Sequence, residues 1–260
     1  MSDENKLIEV IRKDGLVIIP SIYSTQQCKQ FVLSCEDLKK QLCKKNFNIV
    51  SEETIFIINY FRHNKNLLKL IWNPLLDIIL RELIDQDYVL AASNLINKTL
   101  SNNKVFNDAT SPGKDWHTDS RIVGGKRLAE GFSYQVIVML EDFCSDNGAT
   151  QYVPGSHLTR SVPKRNGTYD FKRIEGRAGS IVVMDSGTWH RSGPASNRSR
   201  WGVFSLYTPW FMKPYYRYPE MLGNKLGDEL SPHLRQILHY ESTPPLNEEE
   251  RLATLTRIGK

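Results

Sequence analysis

Short apolar runs separated by turns, from about residue 88 to residue 210, constrain the fold more than any other pattern in this chain. The turns are rich in glycine, proline, asparagine and serine. Strands that return after so few residues pair antiparallel, because parallel neighbours need a long crossover between them. The pattern therefore predicts a β-sandwich or a β-barrel. The runs are residues 88–96, 132–140, 150–153, 180–184 and 202–207.

Segments on both sides of this region have the spacing of amphipathic helices. Ser24 and Thr25 can cap a helix whose apolar residues recur at helical spacing, and a second such segment is interrupted by Pro74. We expect these helices to support one face of the sheet. The predicted layout is helical support over about 24–85 with helices at 24–45 and 64–85, a β-core over about 88–210, and a tail over about 211–260 with a helix at about 229–240 and a short terminal one.

Composition favours one domain over residues 1–260. The chain is 40% hydrophobic and 10% aromatic, which can fill a core, and all-β domains often reach this length. Its apolar runs are too short to span a membrane, and the first residues lack the apolar segment of a signal peptide. A cytoplasmic location is expected. The four cysteines show no Cys-x-x-Cys spacing, so reduced thiols without a metal are predicted.

The charge pattern argues against a nucleic-acid partner. The formal charge is +5, from 34 basic and 29 acidic residues spread along the chain. Nucleic-acid binders concentrate basic residues among aromatic ones, and this chain does not. We therefore expect a small-molecule substrate and neither nucleic acid nor membrane, while the oligomeric state stays open.

The candidate metal ligands are His117, Asp119 and His190. Residues at i and i+2 of an extended strand point to the same side, so His117 and Asp119 can bind one ion together, and His190 from a distant strand can complete the set. Two imidazoles and one carboxylate suit non-haem Fe(II) and leave coordination positions open. A lone His-x-Asp is a weak signal, so its context matters.

An arginine follows the last of these ligands by about ten residues, at the start of an apolar run. A guanidinium binds a carboxylate through two parallel N–H groups, as a chelating dicarboxylate would require. Arg200 heads the run and is preferred, and Arg198 is the competitor on the same side of the strand.

Further strings resemble the phytanoyl-CoA dioxygenase-like group of Fe(II)/2-oxoglutarate-dependent oxygenases over most of the chain. They include an Asn-Gly-Ala-Thr string, then Val-Pro-Gly-Ser-His, and a β-run that leads into the distal histidine. The resembling segments are residues 14–20, 95–98, 147–150, 153–157 and 179–185.

The resemblance implies a fold, a co-substrate and a set of contacts. The fold would be mainly β with flanking helices, a double-stranded β-helix or cupin-like jelly roll. The protein would use Fe(II), 2-oxoglutarate and O₂, with the far carboxylate of the co-substrate at Arg200. Ser192 shares the face of His190 and could bind the same carboxylate, and Asn94 lies where the family contacts co-substrate. Gln135 is a weaker candidate of the same kind.

Other histidines and tryptophans are assigned structural roles. His157 is interpreted as a turn residue, and Trp116 and Trp189 are expected to pack around the metal ligands. Surface positions are predicted for His63, His233 and His239.

Several activities stay open at this point. A zinc hydrolase could use the same three ligands but leaves the arginine unexplained, and a non-catalytic cupin-like binding protein is the rival from another class. The resemblance favours hydroxylation of an unactivated C–H, while Asp119 disfavours halogenation. Desaturation, epimerisation or ring formation use the same chemistry, and the substrate is not identified.

Overall fold

The computed structural model describes residues 3–42, 45, 48–50, 54–99, 115–123, 126–127, 132–242 and 245–257. Its strands are β1 (Leu16–Ile19), β2 (Ile49–Val50), β3 (Thr54–Ile58), β4 (Val89–Lys98), β5 (Ile122–Val123), β6 (Lys126–Arg127), β7 (Tyr134–Met139), β8 (Gln151–Tyr152), β9 (Lys172–Arg173), β10 (Ile181–Asp185), β11 (His190–Arg191) and β12 (Arg200–Thr208). Its α-helices are α1 (Asp3–Asp14), α2 (Thr25–Leu42), α3 (Pro74–Leu83), α4 (Tyr218–Leu222), α5 (Asn224–Glu229), α6 (Pro232–Ile237) and α7 (Glu248–Arg257).

Two sheets of unequal size form the β-core. The large sheet has the order β1-β10-β7-β12-β4-β3-β2, and all its neighbours pair antiparallel. The small sheet has the order β11-β8-β9. An isolated bridge between His117 and His190 adds one more strand segment beside β11. The architecture is an antiparallel jelly roll with flanking helices, as predicted.

Each face of the large sheet packs against a different layer. Successive side chains of a strand point to opposite faces. One set of alternate residues joins the helices in the larger core: Val136, Val138, Val183 and Val203. The other set packs toward the small sheet: Ile137, Met139, Val182 and Met184, in one cluster with Tyr152 of β8. The central strands are therefore apolar at nearly every position.

One core connects the ends of the chain. The larger cluster includes Ile8 and Ile11 of α1, Phe31 of α2, Leu80 of α3 and Ile237 of α6. Helices from different parts of the chain therefore share one core, and the single domain over residues 1–260 stays a prediction. No helix among the described residues is both long and apolar enough to cross a bilayer.

The predicted helical support contains more than helices. Helix α2 lies where the sequence predicts it, but the segment at 64–85 is a short 3₁₀ helix at Lys65–Leu70 followed by α3. Pro74 occupies the first turn of α3, and the Asn73 side chain accepts hydrogen bonds from the N–H groups of Leu75 and Leu76. Proline at this position and an asparagine cap start a new helix instead of continuing an old one.

Three further elements differ from the prediction. Strand β3 lies within the segment assigned to helices and extends the large sheet beside β4. Helix α1 precedes the predicted opening strand and buries Ile8 and Ile11. The helix predicted over 229–240 is split, because Ser231 caps a new helix with Pro232 in its first turn. One of the turns predicted between the apolar runs, at residues 111–113, lies outside the described residues.

The Asn73 cap gives a stability prediction. Asn73→Ala removes the acceptor for two N–H groups at the start of α3 and should lower the free energy of unfolding by about 1 kcal/mol. Urea unfolding monitored by circular dichroism measures this change. Asn224→Ala is the matched control, because Asn224 is an exposed residue in the first turn of α5. Equal losses in both variants would contradict a capping role for Asn73.

Candidate active site

A reciprocal pair of backbone hydrogen bonds places His117 opposite His190. The N–H of each residue donates to the carbonyl oxygen of the other, both at 3.0 Å. Residues paired in this way on antiparallel strands project their side chains to the same face. The two imidazole rings lie with their centroids 4.3 Å apart. Two ligands far apart in sequence are thus brought together by the backbone itself.

Backbone carbonyls fix the tautomer of both imidazoles. Nδ1 of His117 lies 2.8 Å from the carbonyl oxygen of Asp115, and Nδ1 of His190 lies 2.9 Å from that of Thr188. A carbonyl oxygen can only accept, so Nδ1 carries the proton and donates. The lone pair of each imidazole is therefore on Nε2, the atom that can bind a metal.

Asp119 supplies the anionic member of the group. Its Oδ1 lies 4.0 Å from Nε2 of His117 and its Oδ2 lies 3.5 Å from Nε2 of His190. The N–H of Asp119 donates to the carbonyl oxygen of Ser186 at 2.9 Å, which anchors the segment to the loop before β11. The potential ligand atoms of the three residues lie within 4.8 Å of one another, so they could hold one metal ion.

Electrostatics shift the pKa values of all three residues. Burial lowers the pKa of His117, and the neighbouring His190 lowers it further. Burial alone would raise the pKa of Asp119, but the two histidines outweigh it and the pKa falls. Burial alone would likewise lower the pKa of His190, but the neighbouring Asp119 outweighs burial and the pKa rises. The carboxylate is ionised, and His117 is neutral at ordinary pH.

A cavity of about 310 Å³ opens beside the three residues. Its floor is the large sheet, where alternate residues of β4 and β12 face inward. Arg200 and Lys98 are Cα partners in these two strands, so both cationic side chains lie at one end of the cavity. The inward-facing residues are Asn94, Ile96 and Lys98 from β4 and Arg200, Phe204 and Leu206 from β12.

Arg200 is a buried cation with unused donors. Its exposed fraction is 2%, its Nη2 donates to the carbonyl oxygen of Gly148 at 2.6 Å, and its Cζ lies 3.6 Å from the ring centroid of Phe143. Nε and Nη1 have no hydrogen-bond partner. Burial lowers the pKa of Arg200 to about 9, although Glu141 opposes this shift. A buried guanidinium with two unpartnered donor nitrogens can bind an anion.

Arg198, the competitor, is placed elsewhere. Its side chain is 52% exposed and lies 4.0 Å from Asp146, and its Nη2 lies 3.0 Å from the sulfur of Cys144. It does not line the cavity beside the metal ligands. The geometry thus favours Arg200 over Arg198 as the partner of a bound carboxylate.

The remaining predicted contacts also border the cavity. Ser192, Asn94 and Gln135 all line it. Side chains alternate between the two faces of β4. Asn94 faces the cavity, whereas Asn97, on the other face, accepts a hydrogen bond from Lys39 of α2.

Some lining residues were not predicted. Lys98 is 3% exposed, and its Nζ lies 3.5 Å from Oγ1 of Thr54. The period-two alternation from Asn94 through Ile96 could have identified Lys98. Tyr215 also lines the cavity and had no sequence signal, because it lies in an irregular segment.

Aromatic rings support the strands that carry the ligands. Tyr169 packs edge-on against Trp116 at 5.5 Å and against Trp189 at 4.9 Å. Each tryptophan directly precedes a metal-ligand candidate, so one ring holds both segments. The Arg191 guanidinium lies 4.5 Å from the Trp116 ring and donates to Gln151 at 2.7 Å. The packing role predicted for both tryptophans agrees with these contacts.

The other histidines lie outside the metal group. His157 is buried with Nε2 3.0 Å from the carbonyl oxygen of Arg12, which agrees with a structural role. His63 and His233 are exposed, as predicted. The surface prediction for His239 is wrong. This residue is 7% exposed, its Nε2 lies 2.9 Å from the carbonyl oxygen of Leu90, and its ring stacks on Tyr218.

A jelly roll that brings two histidines and one aspartate to a cavity defines the class of 2-His-1-carboxylate metal proteins. The family model for phytanoyl-CoA dioxygenase (PhyH) matches residues 11–202, and the chain belongs to this family. The matched region includes every metal-ligand candidate and Arg200.

A comparison with individual proteins also finds a dioxygenase among the relatives of this chain. Dioxygenase af480 of Aspergillus fumigatus is 29% identical over 174 residues, which cover 64% of this chain and 56% of that protein. The chain spans about half the length of the curated relatives it matches.

Two solved structures show the same fold. The epimerase SnoN, in complex with Fe3+, alpha ketoglutarate and nogalamycin RO, is 15% identical with a TM-score of 0.60, covering 79% of this chain and 83% of SnoN. HygX from Streptomyces hygroscopicus, with nickel, 2-oxoglutarate and hygromycin B bound, is 14% identical with a TM-score of 0.63, covering 86% of this chain and 95% of HygX. At these identities the likeness concerns the fold alone.

The three-residue group predicts a metal-binding defect. Asp119→Ala removes the only carboxylate of the group and should weaken Fe(II) binding by at least about 100-fold, measured by anaerobic calorimetry. Asp170→Ala, at an exposed aspartate, is the control and should bind as the parent does. Thermal unfolding of both variants checks that the fold is retained. Unchanged Fe(II) affinity in Asp119→Ala would show that the ion binds elsewhere.

Proposed function

We propose that this protein is an Fe(II)- and 2-oxoglutarate-dependent dioxygenase that hydroxylates an unactivated C–H of a small molecule. One observation carries the proposal: the metal-ligand candidates and a buried arginine with unused N–H groups border the same cavity. A metal site alone would not need that arginine. A ligand that chelates the ion and carries a second carboxylate explains both features.

The donor set fits iron. Nε2 of His117, Nε2 of His190 and a carboxylate oxygen of Asp119 would bind the ion, and three protein ligands leave positions for other molecules. Iron with 2-oxoglutarate and O₂ supplies the oxidising power that breaks a C–H bond, with succinate and CO₂ as co-products. The protein contributes position: the carbonyl oxygens of Asp115 and Thr188 hold the two imidazoles in the binding tautomer.

Arg200 would bind the carboxylate of 2-oxoglutarate that lies away from the metal. Its Nη1, which has no hydrogen-bond partner, can donate to this carboxylate, and burial strengthens the contact because water is excluded. Ser192 and Asn94 line the same cavity and would add hydrogen bonds. Lys98 adds a second positive charge at this end, which suits a doubly charged co-substrate.

Hydroxylation is the reaction we propose within this class. The aspartate ligand argues against halogenation, since family members that halogenate have a small residue in its place. SnoN is an epimerase, so reactions other than hydroxylation occur on the same fold. A cavity of about 310 Å³ suits a small-molecule substrate. A cytoplasmic location stays a prediction from the sequence.

The first test is spectroscopic and needs no substrate. Anaerobic addition of Fe(II) and 2-oxoglutarate should give the weak visible charge-transfer band of a keto acid chelated to iron. The band should be lost in His117→Ala, Asp119→Ala and His190→Ala. Saturating 2-oxoglutarate with iron should also raise the melting temperature, because a ligand at 100 times its Kd adds about 2.7 kcal/mol to stability.

Two outcomes would reject the proposal in different ways. Metal binding without the band would favour the non-catalytic cupin-like binding protein. The absence of both metal binding and the band would remove the whole class. If the band forms, succinate release stimulated by members of a metabolite panel then identifies the substrate.

The second test concerns the co-substrate clamp. Arg200→Lys keeps the charge but loses the planar pair of N–H groups, so 2-oxoglutarate affinity should fall by about 1.5 to 3 kcal/mol, one to two decades. Arg198→Lys is the matched control, because Arg198 is exposed and lies outside the cavity. Titration of the charge-transfer band measures both. A larger loss in Arg198→Lys would move the clamp to that residue.

A further inference from the structure

The cavity has two unlike ends, because neighbouring strands cross it in a fixed register. Arg200, the first residue of β12, is the partner of Lys98, the last residue of β4. Near the other end of β12, Tyr207 is the partner of Tyr134, the first residue of β7. From Arg200 to Leu206 the strand rises about 20 Å. A group bound at the cationic end is therefore far from the opposite end.

Tyr215 forms the wall of that opposite end. It lines the cavity together with Ala92, Gln135 and Leu206. Its N–H donates to the carbonyl oxygen of Ala91 at 3.1 Å, which fixes Tyr215 beside the start of β4. The residue is 51% exposed. Tyr215 thus borders both the cavity and solvent, and it marks the mouth of the cavity.

An arginine stacks on this tyrosine. Cζ of Arg121 lies 4.9 Å from the ring centroid of Tyr215, and Arg121 follows the metal-ligand candidate Asp119 by two residues. Arg121 is exposed, and no carboxylate among the described residues forms an ion pair with it. A guanidinium whose face covers a ring keeps its N–H edges available for an oxyanion. The mouth therefore offers a positive charge beside a flat aromatic surface.

More exposed rings lie at the same end of the sheet. Trp210 and Phe211 follow β12 and are 50% and 58% exposed, with ring centroids 6.0 Å apart. Phe132, just before β7, packs edge-on against Phe211 at 6.5 Å. A cluster of exposed aromatic side chains indicates a binding surface, because exposing this apolar area to water is unfavourable until a ligand covers it.

We infer that Arg121 and Tyr215 form a substrate subsite for a carboxylate attached to a flat aromatic ring. This inference rests on the proposed function, since it assigns the cationic end of the cavity to the co-substrate and the mouth to the substrate. The Arg121 guanidinium binds the carboxylate, and the Tyr215 ring packs on the aromatic ring. Because Tyr215 and the metal-ligand candidates line one cavity, a substrate held here extends toward the metal.

The test uses 2-naphthoate as the probe in calorimetric titrations. 2-Naphthamide has the ring without the charge, and cyclohexanecarboxylate has the charge without the aromatic ring. The parent protein should bind 2-naphthoate about tenfold more tightly than either analogue. Saturating 2-oxoglutarate with Mn(II) should change this affinity by less than about twofold, because the co-substrate occupies the other end.

Variants separate the two recognition elements. Arg121→Gln should abolish the preference for 2-naphthoate over 2-naphthamide, and Tyr215→Leu should abolish the preference over cyclohexanecarboxylate. Arg173→Gln is the matched control, because the exposed Arg173 also lies over an aromatic ring, 5.3 Å from the centroid of Phe171, away from the cavity. Arg173→Gln should keep both preferences.

Failure of the inference and failure of the proposed function give different results. No measurable binding of 2-naphthoate, equal affinity for the three probes, or an unchanged preference in Arg121→Gln overturns the subsite. Displacement of 2-naphthoate by 2-oxoglutarate does so too, since it places the carboxylate at Arg200. If 2-naphthoate binds through Arg121 while 2-oxoglutarate does not bind with metal, the subsite stands and the dioxygenase proposal fails.

Discussion

The reciprocal backbone pair between His117 and His190 is the contact on which the site depends, because it sets two distant imidazoles side by side. Strand β11 has only two residues, and its other neighbour is the equally short β8. So short a ladder gains little stability from its own hydrogen bonds. Packing of Tyr169 between Trp116 and Trp189 compensates, since these rings hold the segments that enter the pair from both sides. The metal geometry is thus maintained by backbone pairing and aromatic packing together.

Arg200, in contrast, is buried with hydrogen-bond donors that have no partner. Taking a guanidinium out of water is unfavourable unless its charge and N–H groups find partners. The Gly148 carbonyl and the Phe143 ring offset part of this cost, and Nε and Nη1 stay without a partner. A carboxylate that enters the cavity can supply a missing partner, so part of its binding energy would come from relieving an unfavourable state of the free protein. Well-packed neighbours keep the side chain in place until then.

The sequence predicts the central strands well and selects three metal-ligand candidates that the structure brings together. Long-range pairing explains what the sequence does not predict. Apolar runs such as 132–140 and 180–184 are strands in the structure because both faces of the sheet are covered, so local pattern and tertiary burial agree. Strand β3 has an apolar run of the same kind, but it lies in the segment assigned to helical support, and its pairing with β4 places it in the large sheet. Tyr215 reaches the cavity through one hydrogen bond to Ala91, a residue distant in the chain. His239 is likewise buried by contacts with remote residues.

The register between β12 and β4 determines which end of the cavity is closed and which end is open. Arg200 and Lys98 face each other across β12 and β4 at one end, where both are buried, whereas the other end opens beside Tyr215. In the proposed arrangement, a dicarboxylate would occupy the closed end, because desolvated cations attract anions more strongly than the exposed Arg121 does. The open end would then be left for a second molecule. Two anionic ligands would share one cavity without competing, since the burial of the cations, and not their charge alone, would decide which end each ligand takes.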